Sequence, residues 1–397
     1  MSDLTDRSLV DVGAIPPDSF WDAISRTNEV AKHRLLVPED LITRLESEAA
    51  ELLIDHETLV EAAAGLIAGN LVLQGPPGTG KTSLAAALTK AFSAASIQAT
   101  AREDWTAFDV IGGQELVVNN EGTESLQPAH GWFTEAAIRC AGSVSKNLDD
   151  SDLNPEQATW LVIDELNRAN MDRAFGELFS VLGTDDPTPF RLKYMPGMAN
   201  ELTTPRRFRI IGTLNSIDKQ FVNSLSMAIR RRFTFVTIDI PPQRRADETW
   251  DAQPDGNSSL AIRELDKVID RAAKNVNYSN SKEDLRMSAR PHLARILAEM
   301  EKVRYATESS EFPFLPIGTA PLIDMAGLAI IRGTMDSAPD WSAAFDWACA
   351  VKIAPLFETD LESPEKLRAY ADMLRTGFPR FARELARIEA AGLYAVP

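Results

Sequence analysis

Apolar residues along this chain follow two kinds of pattern, helical spacing and short continuous runs, and their order predicts the elements. Helical spacing recurs twice before residue 70, at 41–53 and at 59–67. Strand-like runs then lie at 71–73, 96–101, 160–163, 208–214 and 234–238. After residue 240, helical periodicity recurs at 265–269, 293–300 and 374–388. Strands that alternate with helices predict an α/β unit with a parallel sheet, and the last third predicts a helical region.

Two segments between the strand-like runs have hairpin patterns. The run Leu116–Val118 precedes an Asn/Gly-containing turn at 119–122, and two short runs flank Pro196–Gly197. Such runs around turn residues predict hairpins that project from the helix layer. The second hairpin is basic, with Arg191, Lys193, Arg206 and Arg207. These charges would suit a polyanion, although a cluster of this kind is more often a solvated face.

Composition narrows the functional classes. The 397 residues are 44% hydrophobic and 25% charged, which is typical of a globular protein. A formal net charge of -17 argues against a protein that coats nucleic acid without sequence preference. The two cysteines, far apart in sequence, predict neither a disulfide framework nor a zinc site. Because the first residues do not resemble a signal peptide and no apolar run reaches about 18 residues, we expect a cytoplasmic protein without a membrane partner.

The strongest chemical signal is a glycine-rich loop directly after the first strand-like run. Its spacing is G-x-x-x-x-G-K-[ST], in which backbone N–H groups cradle phosphates. Lys81 would reach the terminal phosphates, and the Thr82 hydroxyl would bind Mg²⁺. The helix that follows directs its positive end at the anion. The sequence therefore predicts a nucleotide site formed by Gly75, Pro76, Pro77, Gly78, Thr79, Gly80, Lys81, Thr82 and Ser83.

Polar residues at the ends of two later strand-like runs predict the rest of the site. The run at 160–163 delivers Asp164 and Glu165, and the run at 208–214 ends in Asn215. Ligands bind at the carboxyl ends of strands in an open α/β sheet, so Asp164 can hold Mg²⁺ and Glu165 can polarise the attacking water. Asn215 can orient the same water or touch the γ-phosphate. Three arginines at 230–232 either complement the negative end of a helix or act as arginine fingers in a neighbouring subunit.

These motifs resemble those of AAA+ ATPases, over roughly Val37 to the end of the chain. The resemblance identifies Gly75–Thr82 as Walker A, Ile163–Glu165 as Walker B and Asn215 as sensor 1, and either Arg231 or Arg232 as the arginine finger. The stretch 164–170, D-E-L-N-R-A-N, is similar to the signature of the branch that holds MoxR-type chaperones and McrB-type restriction motors. Stretches 212–218, 228–233 and 347–358 look more like McrB. The lid motif G-H-S-Y-F of that family is replaced by Gly318–Leu322.

The resemblance implies the fold and its organisation. The expected fold class is α/β, an AAA+ P-loop NTPase with a central parallel sheet plus a C-terminal α-helical lid domain. The expected parts are an N-terminal arm at 1–36, a nucleotide-binding domain at 37–240 and an extended helical lid at 241–397. About 70 residues precede the phosphate loop and carry no aromatic and basic surface pattern, so we do not expect the DNA-reading domain of McrB.

The resemblance also implies the activity and the partners. We expect a homo-oligomeric ring, a hexamer, that hydrolyses ATP with Mg²⁺ and takes arginines from each neighbour; GTP is the alternative nucleotide. The expected partner is a separately encoded effector, a nuclease of a restriction or antiphage system. The sequence does not decide whether DNA enters the pore of the ring. A MoxR-type chaperone that remodels a partner protein and a nucleotide-dependent assembly switch are the two alternatives.

Overall fold

The computed structural model describes residues 17–118, 124–182, 187–195, 200–215, 225–250, 258–278, 281–305, 312, 316–335, 339–359 and 364–395. Both predicted hairpin tips, at 119–122 and 196–197, lie outside these ranges. So do residues 1–16 of the predicted arm and residues 216–218, which follow Asn215.

A parallel sheet forms the centre of the first part of the chain. The strands of the described residues are β1 Asn70–Gly75, β2 Ala94–Thr100, β3 Gly112–Val118, β4 Glu124–His130, β5 Ala158–Asp164, β6 Pro189–Arg191, β7 Glu201–Thr203, β8 Ile210–Asn215 and β9 Phe233–Thr237. Five of them pair in parallel in the order β2-β5-β8-β1-β9. Strand β5 is buried at every residue except Asp164, as expected for a strand covered by helices on both faces.

Helices cover the sheet and form most of the C-terminal region that the structure describes. Those of the first part are α1 Pro17–Val30, α2 Leu41–Glu48, α3 His56–Ala68, α4 Lys81–Ala91, α5 Ala107–Val110, α6 Trp132–Asp149, α7 Met171–Phe175 and α8 Met227–Arg230. Those of the C-terminal region are α9 Leu260–Asn275, α10 Lys282–Arg304, α11 Thr319–Thr334, α12 Trp341–Lys352, α13 Pro364–Leu374 and α14 Pro379–Ala395. The parallel sheet and the helical C-terminal region confirm the predicted fold class.

Several helices begin at polar residues whose side chains cap the first turn. Asp55 accepts a hydrogen bond from the backbone N–H of Thr58 before α3, and Ser259 does the same for Ile262 before α9. Such caps satisfy backbone donors that have no partner within the helix. They explain locally why these helices begin where they do.

Buried apolar side chains form two clusters. One contains residues from Ile24 to Ile238 and surrounds the sheet, and the other contains residues from Trp250 to Ile388 and lies among the C-terminal helices. Helix α1 contributes Ile24 and Val30 to the first cluster. The division of the chain at residues 36 and 240 stays a prediction. None of the helices in the described ranges is long and apolar enough to cross a membrane.

Both predicted hairpins are confirmed. Strands β3 and β4 pair antiparallel, and so do β6 and β7. The loop between β6 and β7 contacts the base of the first hairpin, because the Tyr194 hydroxyl lies 2.9 Å from His130 Nδ1 and donates to the Ile111 carbonyl at 3.1 Å. Burial lowers the pKa of His130 to about 4, although Glu135 opposes the shift. His130 is therefore neutral at pH 7.

The prediction of one basic face on the second hairpin is wrong for Arg207. This side chain is buried and donates to the Arg34 carbonyl at 2.9 Å and to Asn147 Oδ1 at 2.8 Å. Lys193 pairs with Glu177 at 2.6 Å. Arg207 therefore stabilises the packing of α6 against neighbouring segments and is not available to a polyanion.

Candidate nucleotide-binding site

The phosphate loop lies between β1 and α4. Gly75, Pro76, Pro77, Gly78, Thr79 and Gly80 form the loop, and Lys81, Thr82 and Ser83 form the first turn of α4. Gly78 and Gly80 have φ values of 77° and 88°, in the left-handed region that favours glycine. No side chain caps the N-terminus of α4. The first N–H groups of this helix are thus left for an anion.

Lys81 is folded under the loop. It is 9% exposed, and its Nζ donates to the Gly75 carbonyl at 2.9 Å and the Pro76 carbonyl at 2.6 Å. Burial lowers the pKa of Lys81 to about 8, whereas the charges of Asp164 and Glu165 act in the opposite direction. The ammonium group therefore lies next to the loop and close to the end of β5.

Asp164 is brought to the start of α4. Thr82 Oγ1 donates to Asp164 Oδ1 at 2.9 Å, and the Thr213 hydroxyl donates to the same oxygen. The carboxylate and the Thr82 hydroxyl are hard oxygen donors, which is the chemistry that Mg²⁺ prefers. The sequence-based prediction missed Thr213, since its only signal was a hydroxyl residue within an apolar strand.

Glu165 follows directly in a strained backbone conformation. Its φ is 53°, and its backbone N–H donates to Thr213 Oγ1 at 3.0 Å. Its carboxylate pairs with Arg168 Nε at 2.5 Å. A left-handed non-glycine residue at the end of a strand is uncommon and is typical of functional sites. The pairing with Arg168 was also missed by the sequence-based prediction.

Asn215 lies beside the start of the loop. Strands β1 and β8 are neighbours, and Asn215 is the register partner of Gly75. Its Oδ1 is buried without a hydrogen-bond partner among the described residues. Because a buried acceptor without a donor is costly, this atom is suited to a water molecule or a ligand. Asn215 and the residues of the loop and of β5 thus meet at one edge of the sheet.

The two predicted arginines lie at the opposite edge. With Asn70 and Phe233, the first residues of β1 and β9, they line a cavity of about 870 Å³. This edge is about one strand length, roughly 17 Å, from the loop. The structure does not bring Arg231 and Arg232 to the phosphate loop of the same chain.

The two arginines differ in their surroundings. Arg232 is partly buried and donates to the Phe179 carbonyl at 2.9 and 2.6 Å and to the Ala228 carbonyl at 2.7 Å. Arg231 is exposed, and within the described ranges its side chain makes no hydrogen bond or ion pair. The side chain of Arg231 is therefore less constrained by neighbouring residues than that of Arg232.

The start of α11 covers the phosphate loop from the other side. The backbone N–H of Ala320 donates to the Gly78 carbonyl at 3.1 Å. A Cβ atom on Gly318 would lie 2.3 Å from the Pro77 carbonyl oxygen, so only glycine permits this approach. The stretch that replaces the family's lid motif thus contacts the loop through its backbone.

Comparison with known proteins agrees with this geometry. Residues 70–233 match the family model described as AAA domain (dynein-related subfamily). The chain is 28% identical over 239 residues to the EcoKMcrB subunit of a type IV methyl-directed restriction enzyme from Escherichia coli, covering 58% of this chain and 50% of the relative. It is 31% identical over 102 residues to YdiS, a component of the type II restriction enzyme BsuMI from Bacillus subtilis, covering 23% of this chain and 29% of the relative.

The chain thus spans half or less of the length of these curated relatives. Among solved structures, a point mutant of RuvB from Thermotoga maritima aligns over 90% of this chain and 91% of its own, with 16% identity and a TM-score of 0.39. Because this TM-score is low, the assignment of the fold rests on the family match, the sheet order and the motifs, and not on this structure. By its parallel sheet, its phosphate loop and this match, the region 70–233 is similar to an AAA domain of the dynein-related subfamily, and its fold is the α/β fold of AAA+ proteins.

Proposed function

We propose that this chain is a Mg²⁺-dependent nucleoside triphosphatase that forms a ring, a hexamer, and drives a separately encoded nuclease of a restriction or defence system. The observation that carries the proposal is the convergence of Lys81, Thr82 and Asp164 at one edge of the sheet. The Thr82 hydroxyl is 2.9 Å from Asp164 Oδ1, and Lys81 is buried beside them. This is the arrangement that binds and polarises a nucleotide phosphate.

The residues suit a bound Mg²⁺ ion and phosphates. Asp164 and Thr82 would hold the ion, which when bound neutralises charge on the β- and γ-phosphate oxygens. Lys81 and the backbone N–H groups of 78–82 would bind the phosphates. The Glu165 carboxylate accepts a proton from the attacking water, and Asn215 orients that water. A positioned general base of this kind contributes about 10² to 10⁴ in rate.

The placement of the arginines supports a ring. Arg231 lies at the edge opposite to the phosphate loop, and its guanidinium is free to enter the site of a neighbour. A head-to-tail contact that repeats around an axis closes into a ring. The neighbour's site would then receive the positive charge that speeds phosphoryl transfer.

The effector is inferred from the relatives. Both curated relatives are parts of restriction enzymes, and one of them is described as methyl-directed. These relatives favour a nuclease-driving motor over the MoxR-type chaperone and over the assembly switch. ATP is the proposed nucleotide, with GTP as the alternative.

The test is nucleotide turnover by the purified chain with ATP or GTP, with and without double-stranded DNA, with Lys81→Met as the inactive control. We expect turnover that needs Mg²⁺ and is lost in the control. GTP preference or stimulation by DNA would support the restriction motor, and ATP turnover indifferent to DNA would favour the chaperone. Nucleotide-dependent assembly without turnover would favour the switch. A chain that neither binds nor hydrolyses nucleotide would refute the proposal.

A further inference from the structure

A buried ion pair in the helical region lies directly behind the contact between α11 and the phosphate loop. Arg304, at the end of α10, donates Nη1 and Nη2 to the two carboxylate oxygens of Glu264 in α9, at 2.6 and 2.7 Å. Their exposed fractions are 1% and 0%. Burial alone would lower the pKa of Arg304, but the Glu264 carboxylate more than offsets this and raises it. The Arg304 guanidinium is therefore charged in its buried position.

The remaining bonds of this pair go to one short segment. Arg304 Nε donates to the Ile317 carbonyl at 2.9 Å, and the Thr319 hydroxyl donates to Glu264 Oε1 at 2.6 Å. These two residues flank Gly318, which approaches the Pro77 carbonyl. The pair thus ties α9 and α10 to the start of α11 at the point where it contacts the loop.

A contribution to the stability of the helical region does not by itself explain why this ion pair is buried. Replacing a buried ion pair by well-packed apolar residues often leaves stability unchanged or raises it. Directional bonds to a backbone carbonyl and a hydroxyl, by contrast, fix the position of a segment more closely than apolar packing does. Residues 316–320 carry no charged side chain. The contact with the loop therefore depends on where the backbone of this segment is held.

We propose that Glu264, Arg304 and Thr319 are positioning residues for nucleotide binding, which hold residues 317–320 against the phosphate loop and so couple occupancy of the loop to docking of the helical region. The proposal rests on the function proposed above. Phosphates that order the loop strengthen its contact with Ala320, and by linkage the docked segment strengthens phosphate binding by the same factor.

The first test compares Thr319→Val with Thr319→Ser in the full chain. Valine keeps the shape of threonine but loses the hydroxyl donor to Glu264, and serine keeps the donor. A hydrogen bond to a charged group is strong enough to change an equilibrium about tenfold or more. We expect Thr319→Val to raise the dissociation constant for a fluorescent ATP analogue about tenfold, and Thr319→Ser to restore it.

The second test displaces the segment itself. Gly318 has φ -70° and ψ 177°, which alanine adopts without strain, so Gly318→Ala introduces only the clash with the loop. Another contact between the helical region and the first part of the chain, the hydrogen bond from Lys267 Nζ to the Ala50 carbonyl at 2.5 Å, is not altered by this substitution. Gly142→Ala is the matched control, because no atom lies within 4 Å of the added Cβ. We expect about tenfold weaker binding of the analogue and faster hydrogen exchange of the Ala320 amide in Gly318→Ala alone.

The outcomes separate this inference from the proposed function. If the unaltered chain binds the analogue and Thr319→Val lowers only the melting temperature, with an unchanged dissociation constant, the pair merely stabilises the helical core and the inference is overturned. Unchanged binding in Gly318→Ala would overturn it as well. If the unaltered chain binds no nucleotide at all, the proposed function fails and the coupling fails with it.

Discussion

Deprotonation of Lys81 is expected to weaken nucleotide binding at mildly alkaline pH. The Lys81 ammonium group is buried under the Gly75 and Pro76 carbonyls, and burial lowers its pKa from 10.5 to about 8. Bound phosphates favour the charged form, so binding must restore the proton above this pH. A group with this pKa is about one-tenth neutral at pH 7 and nine-tenths neutral at pH 9. Affinity should therefore fall about tenfold between pH 7 and pH 9.

The lowered pKa of Lys81 has the opposite effect on stability: nucleotide affinity falls with rising pH, but the stability of the nucleotide-free protein rises. Between the folded pKa of about 8 and the unfolded pKa of 10.5, the unfolded chain binds more protons at Lys81. The contribution of this group to the free energy of unfolding of the nucleotide-free protein therefore rises with pH across this window. It amounts to about 3 kcal/mol at most, because the pKa is lowered by about 2.5 and each pKa unit corresponds to about 1.36 kcal/mol.

The assay is fluorescence anisotropy with a fluorescent ATP analogue between pH 7 and 9.5 at constant ionic strength. Lys81→Arg is the control, because a guanidinium group stays charged over this range, and its affinity should be independent of pH. A flat profile for the unaltered chain would mean that the two carbonyls keep Lys81 charged, which refutes the reasoning. An equal decline in Lys81→Arg would assign the effect to another group.

Three further predictions concern catalysis and packing. Glu165→Gln should lower turnover at least about a hundredfold while nucleotide binding persists, and steady-state hydrolysis at the original rate would remove Glu165 from its role as base. Arg231→Ala should lower turnover about 10³-fold with an unchanged melting temperature, whereas Arg232→Ala should also lower the melting temperature, because it loses its bonds to backbone carbonyls. Equal melting temperatures for the two variants would contradict this distinction. Tyr194→Phe should lower the free energy of unfolding in urea by about 1–2 kcal/mol, since the bonds of its hydroxyl to His130 and to a backbone carbonyl are lost, and an unchanged value would show that the two hairpins are not joined there.

Local patterns in the sequence predicted the elements of this fold and the chemistry of its site. The spacing of Gly75–Thr82 is confined to one strand, one loop and one helix start, so a continuous stretch specifies its backbone. The same holds for the apolar run that ends in Asp164 and for the turn residues of the two hairpins. The prediction of a phosphate loop at 75–82 therefore needed no tertiary information.

The neighbours of each side chain were decided by the tertiary structure. Strand β8 lies between β1 and β5, which places Thr213 on Asp164 and Asn215 beside Gly75. No local pattern could specify that order, because it depends on how distant strands pair.

Tertiary packing also distinguishes Arg231 from Arg232. The two are adjacent in sequence and identical in chemistry, yet one is exposed and the other binds the Phe179 carbonyl. Likewise, Arg207 was grouped with surface charges by its sequence context but is buried. The sequence determined which groups this protein carries and where along the chain they lie. Only packing between distant segments decided which of them are buried, paired or free, because burial and pairing depend on the residues that the fold brings together.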